Sequence, residues 1–367
     1  MRTRVAVFCF LAWTCIAPAQ GVDAPQTGQF SPEDQLNFEW LKEHTHRLLE
    51  SDLPLARAAA LSGPYNSTEP TRGFERVFTD LLNDQHLDAP ALWKLAYVCQ
   101  RPAHRNACEQ HEVYERLARS DPGNAAVYLW PRAWQSVDDR ELAVLSDKQI
   151  LRASRAERFD SYFGRDAHLL YDLSLELVTR HPHPDTFTAG GLAWQAYWLV
   201  TGMIISDMQR LAPLFRHCEE GVREVNDTLE TACFRIAGLM KDHGNTVLGT
   251  MFGRALERRL LMQKDPESPV SLALYRKQRL ESKAWQCLYQ TLWPNPLEDP
   301  GMAASEFRER LRLLSDLGER EWYERLADMD YVTNPQDWER SPQECRALRD
   351  LEGEALIAEL DELDPYD

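Results

Sequence analysis

Apolar residues recur three and four positions apart along most of this chain and seldom alternate with polar residues. That spacing places the apolar side chains on one face of an α-helix, whereas a half-buried strand would show strict alternation. The first such segment begins at Ser31 and Pro32, because serine suits an N-cap and proline fits the first helical turn. The same pattern predicts further helices over residues 74–85, 89–100, 109–119, 125–135, 146–159, 166–180, 188–206, 208–218, 226–242, 246–263, 269–291, 303–328 and 342–363.

Short connections separate the predicted helices. Residues 121–124, 181–184 and 265–268 each contain proline together with short or polar residues. Connections of this length make neighbouring helices antiparallel. We therefore predict an all-α fold, an array of antiparallel helical hairpins similar to an α-solenoid. Because the second of these connections is rich in proline, we expect an N-terminal helical module over residues 31–182 and a C-terminal helical module over 183–367.

The start of the chain has the layout of a secretory signal peptide. Arg2 and Arg4 precede an apolar run of about a dozen residues, which ends in the small-residue triplet Ala17-Pro18-Ala19. A helix needs ~20 apolar residues to span a bilayer, and this run is shorter. We predict a signal peptide over 1–19 and a flexible N-terminus over 20–30. The mature protein is then expected in the periplasm or outside the cell, with no membrane insertion after signal cleavage.

Charge narrows the class of partner. The chain carries 41 basic and 58 acidic residues, a net charge of −17. Removal of residues 1–19 takes away two of the arginines and no acidic residue, so the mature chain is more negative still. A surface of that sign repels phosphate backbones and anionic lipid. The acids of residues 352–367 are expected to form a solvated tail. The predicted partner is a protein or peptide, and nucleic acid is set aside.

Cysteine usage agrees with export. An even number of cysteines outside the predicted signal peptide is typical of a disulfide framework in an oxidising compartment. Many pairings are open to six cysteines, and the sequence alone does not choose among them. Sequential pairing suits helices that are neighbours along the chain, so the disulfides are predicted as Cys99–Cys108, Cys218–Cys233 and Cys287–Cys345.

A zinc site is the alternative use of the first cysteine pair. Cys99, His104, Cys108 and His111 would supply two sulfur and two imidazole ligands, a set that suits tetrahedral zinc. Their spacing matches no common zinc finger, and oxidation would consume both thiolates. We therefore favour the disulfide and predict neither a metal nor another cofactor.

Aromatic residues give the best candidate for a binding surface. Trp194, Tyr197 and Trp198 lie three and four positions apart, so one helix face carries all three. Such a cluster suits core packing, and it also suits an aromatic groove that holds a peptide or glycan. Together with Trp93 and Tyr128 from the predicted hairpins, these residues form the candidate groove.

A weak internal repeat accompanies these hairpins. Residues 88–96 and 121–129 each open with aspartate, proline and small residues and continue into a segment with an aromatic residue, at an offset of 33 to 35 residues. Over residues 80–140 the chain resembles tetratricopeptide-like helical-hairpin repeats. Pro131 departs from the repeat pattern. A cysteine-bearing block at 233–246 resembles uncharacterised exported helical proteins of bacteria, a resemblance that implies no activity.

The sequence shows no common catalytic motif. It contains neither a Gly-x-Ser-x-Gly nucleophile elbow nor a glycine-rich phosphate loop, and the catalytic residues of any enzyme remain unknown at this level. The hairpin pattern favours an interaction or scaffold protein of the cell envelope. The alternative is an envelope hydrolase or lyase that uses carboxylate or histidine chemistry on a helical fold.

Overall fold

The protein is mainly helical. The computed structural model describes residues 32–63, 73–137, 140–183, 191–205, 211–223, 226–264, 269–292, 303–328 and 341–351. Its α-helices in chain order are α1 Pro32–Leu49, α2 Pro54–Ser62, α3 Phe74–Asn83, α4 Ala89–Val98, α5 Arg105–Gln110, α6 Val113–Ser120, α7 Asp147–Ala153, α8 Ala167–Arg180, α9 Gly191–Ile205, α10 Ala212–Arg223, α11 Asp227–His243, α12 Val247–Lys264, α13 Pro269–Leu292, α14 Ala304–Leu317, α15 Glu319–Asp328 and α16 Pro342–Ala347. Short 3₁₀ helices span Pro102–His104, Ala125–Tyr128 and Leu348–Asp350. The predicted signal peptide, the flexible N-terminus and the acidic residues 352–367 lie outside the described residues.

A β-hairpin replaces part of one predicted helix. The helix predicted over 125–135 is wrong: β1 (Ala133–Val137) pairs antiparallel with β2 (Arg140–Val144) after the 3₁₀ turn ends at Tyr128. Pro131 is the physical reason, since proline lacks an amide hydrogen and pushes the preceding residue out of the helical region.

Four other helix predictions also need correction, and one of them is the helix predicted over 342–363, which ends at Ala347 and is followed by a 3₁₀ turn. The predicted helix at 109–119 is divided near Glu112, whose backbone is left-handed at φ 50°, and the one at 303–328 is divided at Gly318, at φ 80°. A backbone in the left-handed region cannot continue a right-handed helix. Helix α7 stops at Ala153 instead of reaching residue 159, and α2 was not predicted.

All three predicted disulfides are confirmed. Each joins cysteines that neighbour one another in the cysteine order, with Cα–Cα distances of 5.8 Å for Cys99–Cys108, 5.7 Å for Cys218–Cys233 and 5.5 Å for Cys287–Cys345. The first closes the loop from the end of α4 to α5, the second links α10 to α11, and the third links α13 to α16. Among the described helices, none has the length and apolar character needed to cross a membrane.

The described residues pack across the boundary predicted near residue 183. Trp40 on α1 donates its indole N–H to the carbonyl of His181 at 3.1 Å, and Lys94 on α4 donates to the carbonyl of Met203 on α9 at 3.3 Å. Helices α8 and α9, which flank the boundary, also pack on each other. The two predicted modules therefore share contacts through buried residues.

Candidate functional site: an arginine-lined pocket

An open pocket of about 450 Å³ lies where α6, the turn after it and the end of α7 meet. We call it the arginine pocket, because four of its eight lining residues are arginines. A fifth lining residue is acidic, so the lining carries three more positive than negative charges, in a chain whose net charge is −17. The lining residues are Glu115, Ala118, Arg119, Pro122, Tyr128, Arg132, Arg152 and Arg155.

Helix α6 forms one wall because its sequence is amphipathic. Val113 and Leu117 are fully buried, and this turns Glu115, Ala118 and Arg119 toward the pocket. Residues three and four apart share a helix face, so burial of one set fixes the direction of the other. The wall is thereby set by packing.

The turn after α6 forms the floor and is held by one buried amide. Asn124 is fully buried, and its Oδ1 accepts hydrogen bonds from the backbone N–H groups of Ala126 at 3.1 Å and Asp160 at 2.9 Å. Its Nδ2 donates to the Asp121 carboxylate at 3.1 Å and to the Asp160 carbonyl at 2.8 Å. A side chain whose donors and acceptor are all satisfied in a dry site fixes its surroundings strongly. The Asn124 amide therefore fixes the turn that carries Pro122 and Tyr128.

The Asp160 carboxylate connects this turn to the C-terminal half of the chain. Asp160 accepts hydrogen bonds from the backbone N–H of Tyr162 at 2.7 Å, from Nδ2 of Asn245 at 2.6 Å and from Arg165 at 2.9 Å. Three donors thus satisfy the oxygens of this buried side chain. We call Asn124, Asp160 and Asn245 the Asn–Asp network.

The Asp121 carboxylate ties the same floor to the segment before α8. Arg158 donates to both Asp121 oxygens at 2.6 and 2.7 Å, and the Tyr162 hydroxyl also donates to this carboxylate. Burial, and after it the contact with Asp121, raises the pKa of Tyr162 above its usual range. The hydroxyl therefore stays protonated as a hydrogen-bond donor.

Helix α7 supplies the remaining wall. Ser146 and Gln149 form a capping box at its start, and the Gln149 amide donates to the carbonyls of Tyr128 at 3.1 Å and Trp130 at 2.8 Å. These bonds hold α7 against the turn that carries the floor. Arg152, in the last turn of α7, and Arg155, in the turn just after it, are thereby directed to the same pocket.

The four arginines differ in whether they form an ion pair with an acidic side chain. Arg132 forms an ion pair with Glu115, and Arg119 pairs with Glu112 at 3.2 Å between two exposed side chains. Arg152 and Arg155 are exposed and have no side-chain partner among the described residues. Two guanidinium groups are therefore available to an outside ligand.

The arrangement is suited to binding an oxyanion. Guanidinium groups form planar, paired hydrogen bonds with carboxylate, phosphate or sulfate oxygens. The described lining contains no histidine, cysteine, serine or threonine that could act as a base or nucleophile. Within the described part of the chain, no group of three or more histidine, cysteine or acidic residues is placed to hold a metal ion.

The structure places the aromatic candidates in different environments. Trp93 is fully buried, with its ring 4.8 Å from Trp130 and 5.3 Å from Tyr162, and Tyr197 is also buried. Such side chains pack the core and present no face to a ligand.

The other aromatic candidates are partly accessible. Trp194 is half-buried, and its ring lies 5.5 Å from Tyr197 and 6.0 Å from Phe307. Trp198 is half-buried on the same helix. Of the five aromatic residues in the predicted groove, Tyr128 is the one that lines the arginine pocket.

A second depression lies above this aromatic cluster. It measures about 520 Å³ between α8 and α14, and we call it the α8–α14 groove. Its lining includes the ion pairs Asp172–Arg308 and Glu176–Arg180. The full lining is Tyr171, Asp172, Leu175, Glu176, Thr179, Arg180, Ala304, Ser305 and Arg308.

The zinc alternative is wrong for the described geometry. Cys99 and Cys108 are joined in a disulfide, so neither offers the thiolate that zinc requires. The His104 ring packs 5.3 Å from Phe74 and 4.7 Å from Phe78, and burial lowers its pKa. His111 lies partly exposed after the helix that carries Cys108.

Sequence reasoning missed the arginine pocket because its members come from four separate stretches of the chain. Only the spacing of Arg152 and Arg155 was visible as a local pattern, and two arginines three apart are common on exposed helices. The fold and the site together define a disulfide-bonded, mainly helical protein with a cationic pocket. Comparisons with protein-family models, curated proteins and solved structures found no match.

Proposed function

We propose that this chain is an exported interaction protein of the cell envelope, which binds a partner protein through the surface around the arginine pocket. The observation that carries the proposal is the pair Arg152 and Arg155, exposed and unpaired among the described residues. Exposed guanidinium groups that no side chain pairs can meet carboxylates of a partner across a complementary interface.

Three disulfides support the proposed location. Disulfides persist in the periplasm and outside the cell and are rare in the cytosol, where thiols are kept reduced. The first two bridges connect successive helices, which fits the proposed array of helical hairpins. The predicted signal peptide at 1–19 agrees with the same compartment.

The enzyme alternative has less support. General acid–base chemistry needs titratable groups that converge in a cleft. In the arginine pocket the one carboxylate, Glu115, is paired with Arg132, and in the α8–α14 groove Asp172 is paired with Arg308. No observation specific to either depression favours hydrolysis or elimination.

Site-specific photo-crosslinking tests the proposed binding surface. A benzophenone amino acid is placed at Arg119, on the rim of the arginine pocket, and at Thr79 on α3 as an exposed control. After irradiation of cells that express the full chain, crosslinked products are identified by mass spectrometry. We expect one recurrent partner protein from position 119 and none from position 79. The same yield and the same products from both positions would rule out a partner surface at the pocket.

A further inference from the structure

We infer that the arginine pocket binds an acidic peptide segment of the partner, with side-chain carboxylates seated on Arg152 and Arg155. The inference rests on the proposed function and names the chemistry of its ligand. In the α8–α14 groove, by contrast, Arg308 and Arg180 are each paired with a carboxylate.

The backbone under the two arginines is held in place. Arg152 and Arg155 alternate with buried Ala153, Ser154 and Ala156, so the side chains point outward from an anchored turn. Arg155 donates its backbone N–H to the carbonyl of Arg152 at 3.1 Å. On the far side, Nε of Arg235 on α11 donates to the carbonyl of Ser154 at 2.7 Å. Binding therefore orders side chains only, which lowers its entropic cost.

The positive charge of the lining outweighs the opposing field of the helix ends. Helices α6 and α7 both end at the pocket, and a helix C-terminus is equivalent to roughly −0.5 charge. Two short helices thus contribute about −1 at most. Glu112, which pairs with Arg119 beside the lining, offsets one of its three excess positive charges, and the remaining two exceed the contribution of the helix ends.

An acidic peptide fits the pocket better than a single small anion or a nucleic acid. Arg152 and Arg155 present exposed guanidinium groups from one turn, whereas a small ion needs several donors that converge in a buried site. Ala118, Pro122 and Tyr128 place apolar surface between the arginines, which suits aliphatic side chains between acids. A long nucleic acid would extend beyond the pocket over a surface that repels its phosphates, because the whole chain has a net charge of −17. A short acidic peptide would not extend past the pocket and so would avoid that repulsion.

The decisive experiment measures binding of the oxidised full chain to two fluorescent dodecapeptides by anisotropy. One alternates aspartate or glutamate with leucine, and its partner replaces every carboxylate by an amide. The pocket variant is Arg152→Glu with Arg155→Glu. The control variant, Arg308→Glu with Arg312→Glu on exposed α14, changes the net charge by the same amount. Both variants therefore repel the peptide equally at long range.

We expect the acidic peptide to bind the unmodified chain, with affinity that falls as salt is raised, and the amide peptide to bind at least tenfold more weakly. The pocket variant is expected to lose at least tenfold in affinity and the control variant less than threefold. Equal losses in the two variants would overturn the inference, since net charge alone would then account for binding. So would displacement of the peptide by phosphate at constant ionic strength, because the pocket would then select a small anion.

A further outcome concerns the chain's own acids. Residues 352–367 contain seven acidic residues and no basic one. Peptide binding that emerges only after these seven are changed to amides would mean that this segment occupies the pocket, and would overturn the claim of a partner segment. The crosslinking experiment separates the two proposals: a partner captured at position 119 whose capture is unaffected by the pocket variant leaves the proposed function standing and removes this inference.

Discussion

The arginine pocket and the α8–α14 groove are depressions of similar size, about 450 and 520 Å³, that differ in how their charges are used. In the groove, Arg308 and Arg180 are each paired with a carboxylate. In the pocket, Arg152 and Arg155 have no side-chain partner among the described residues. Shape alone therefore does not distinguish the two depressions; the proposed binding site differs from the groove by its unpaired charge on an anchored backbone.

The two depressions also differ in the interactions that support them from below. Beneath the groove lies an aromatic cluster, in which the Phe307 ring is 4.8 Å from Tyr197 and 6.3 Å from Tyr171. Beneath the pocket lies the Asn–Asp network of hydrogen bonds. Apolar packing stabilises in proportion to buried area and tolerates small shifts, whereas a buried polar network requires every partner in place. Damage to the two supports should have different consequences for binding.

The largest expected effect is at the aromatic cluster. Phe307 is 2 % exposed, and Phe307→Ala should lower the free energy of unfolding by about 4 kcal/mol, through lost burial and the cavity left behind. Urea titration followed by circular dichroism measures the change. Phe307→Leu is the control and should cost about 1 kcal/mol. Acidic-peptide affinity under native conditions should stay within about twofold of the unmodified chain. A tenfold loss of affinity would show that the two depressions depend on each other.

Removal of the central amide of the network should cost slightly less stability and much more binding. Asn124→Ala leaves the backbone N–H of Asp160 and the Asp121 carboxylate short of a partner, at a cost of about 3 kcal/mol. Because the floor of the pocket loses its anchor, we also expect peptide affinity to fall. Asn226→Ala is the matched control, since this exposed asparagine only caps α11 and should cost about 1 kcal/mol without affecting binding. Unchanged peptide affinity in the Asn124 variant would show that the floor does not need the network.

The correct fold predictions came mainly from two features of the sequence, the helical spacing of apolar residues and the order of the cysteines. Apolar spacing located α8, α9, α11, α12 and α13 within a few residues, because long amphipathic helices are specified by their own periodicity. Sequential cysteine pairing was right because each bridge joins helices that fold next to each other. The same reasoning failed over 125–135, where Pro131 ended the helix and two short strands followed, too short for their alternation to stand out.

The candidate site was far less accessible from the sequence. Trp93 and Tyr197 were singled out for their aromatic rings, and the fold buries both in its core. Arg119, Arg132 and Arg155 look like ordinary surface residues until the Asn–Asp network brings their segments together. The network depends on contacts between residues 36 and 85 positions apart, which local patterns do not encode.

Stability should also depend on pH through the carboxyl group of Glu319 on α15. Glu319, the first residue of α15, accepts a hydrogen bond from the backbone N–H of Val247 at 3.0 Å, and burial raises its pKa from 4.5 to about 7. The folded chain thus holds this proton more tightly than the unfolded chain does. The stabilising contribution is complete below pH 4.5 and is lost as pH rises through 7.

Glu319→Gln removes that titration and keeps the hydrogen-bond acceptor. Relative to the unmodified chain, the variant should be about 2 kcal/mol more stable at pH 8 than at pH 4, because no charge has to be buried. Urea unfolding at pH 4, 6 and 8 measures the difference. The control is Glu321→Gln at an exposed position of the same helix, which should show no such trend. A parallel trend in both variants would mean that net charge, and not burial of Glu319, sets the pH dependence.

The smallest expected effect tests the comparison most directly. Arg308→Ala removes the guanidinium group of an exposed ion pair in the groove, and pairs of this kind contribute little to stability because water already solvates both charges. We expect no measurable shift in the urea midpoint and no change in acidic-peptide affinity. Arg155→Ala, which removes one unpaired guanidinium group from the pocket, should weaken the same peptide severalfold. If the two variants weaken binding equally, the peptide responds to overall charge, and the pairing state of an arginine does not decide where an acidic ligand binds.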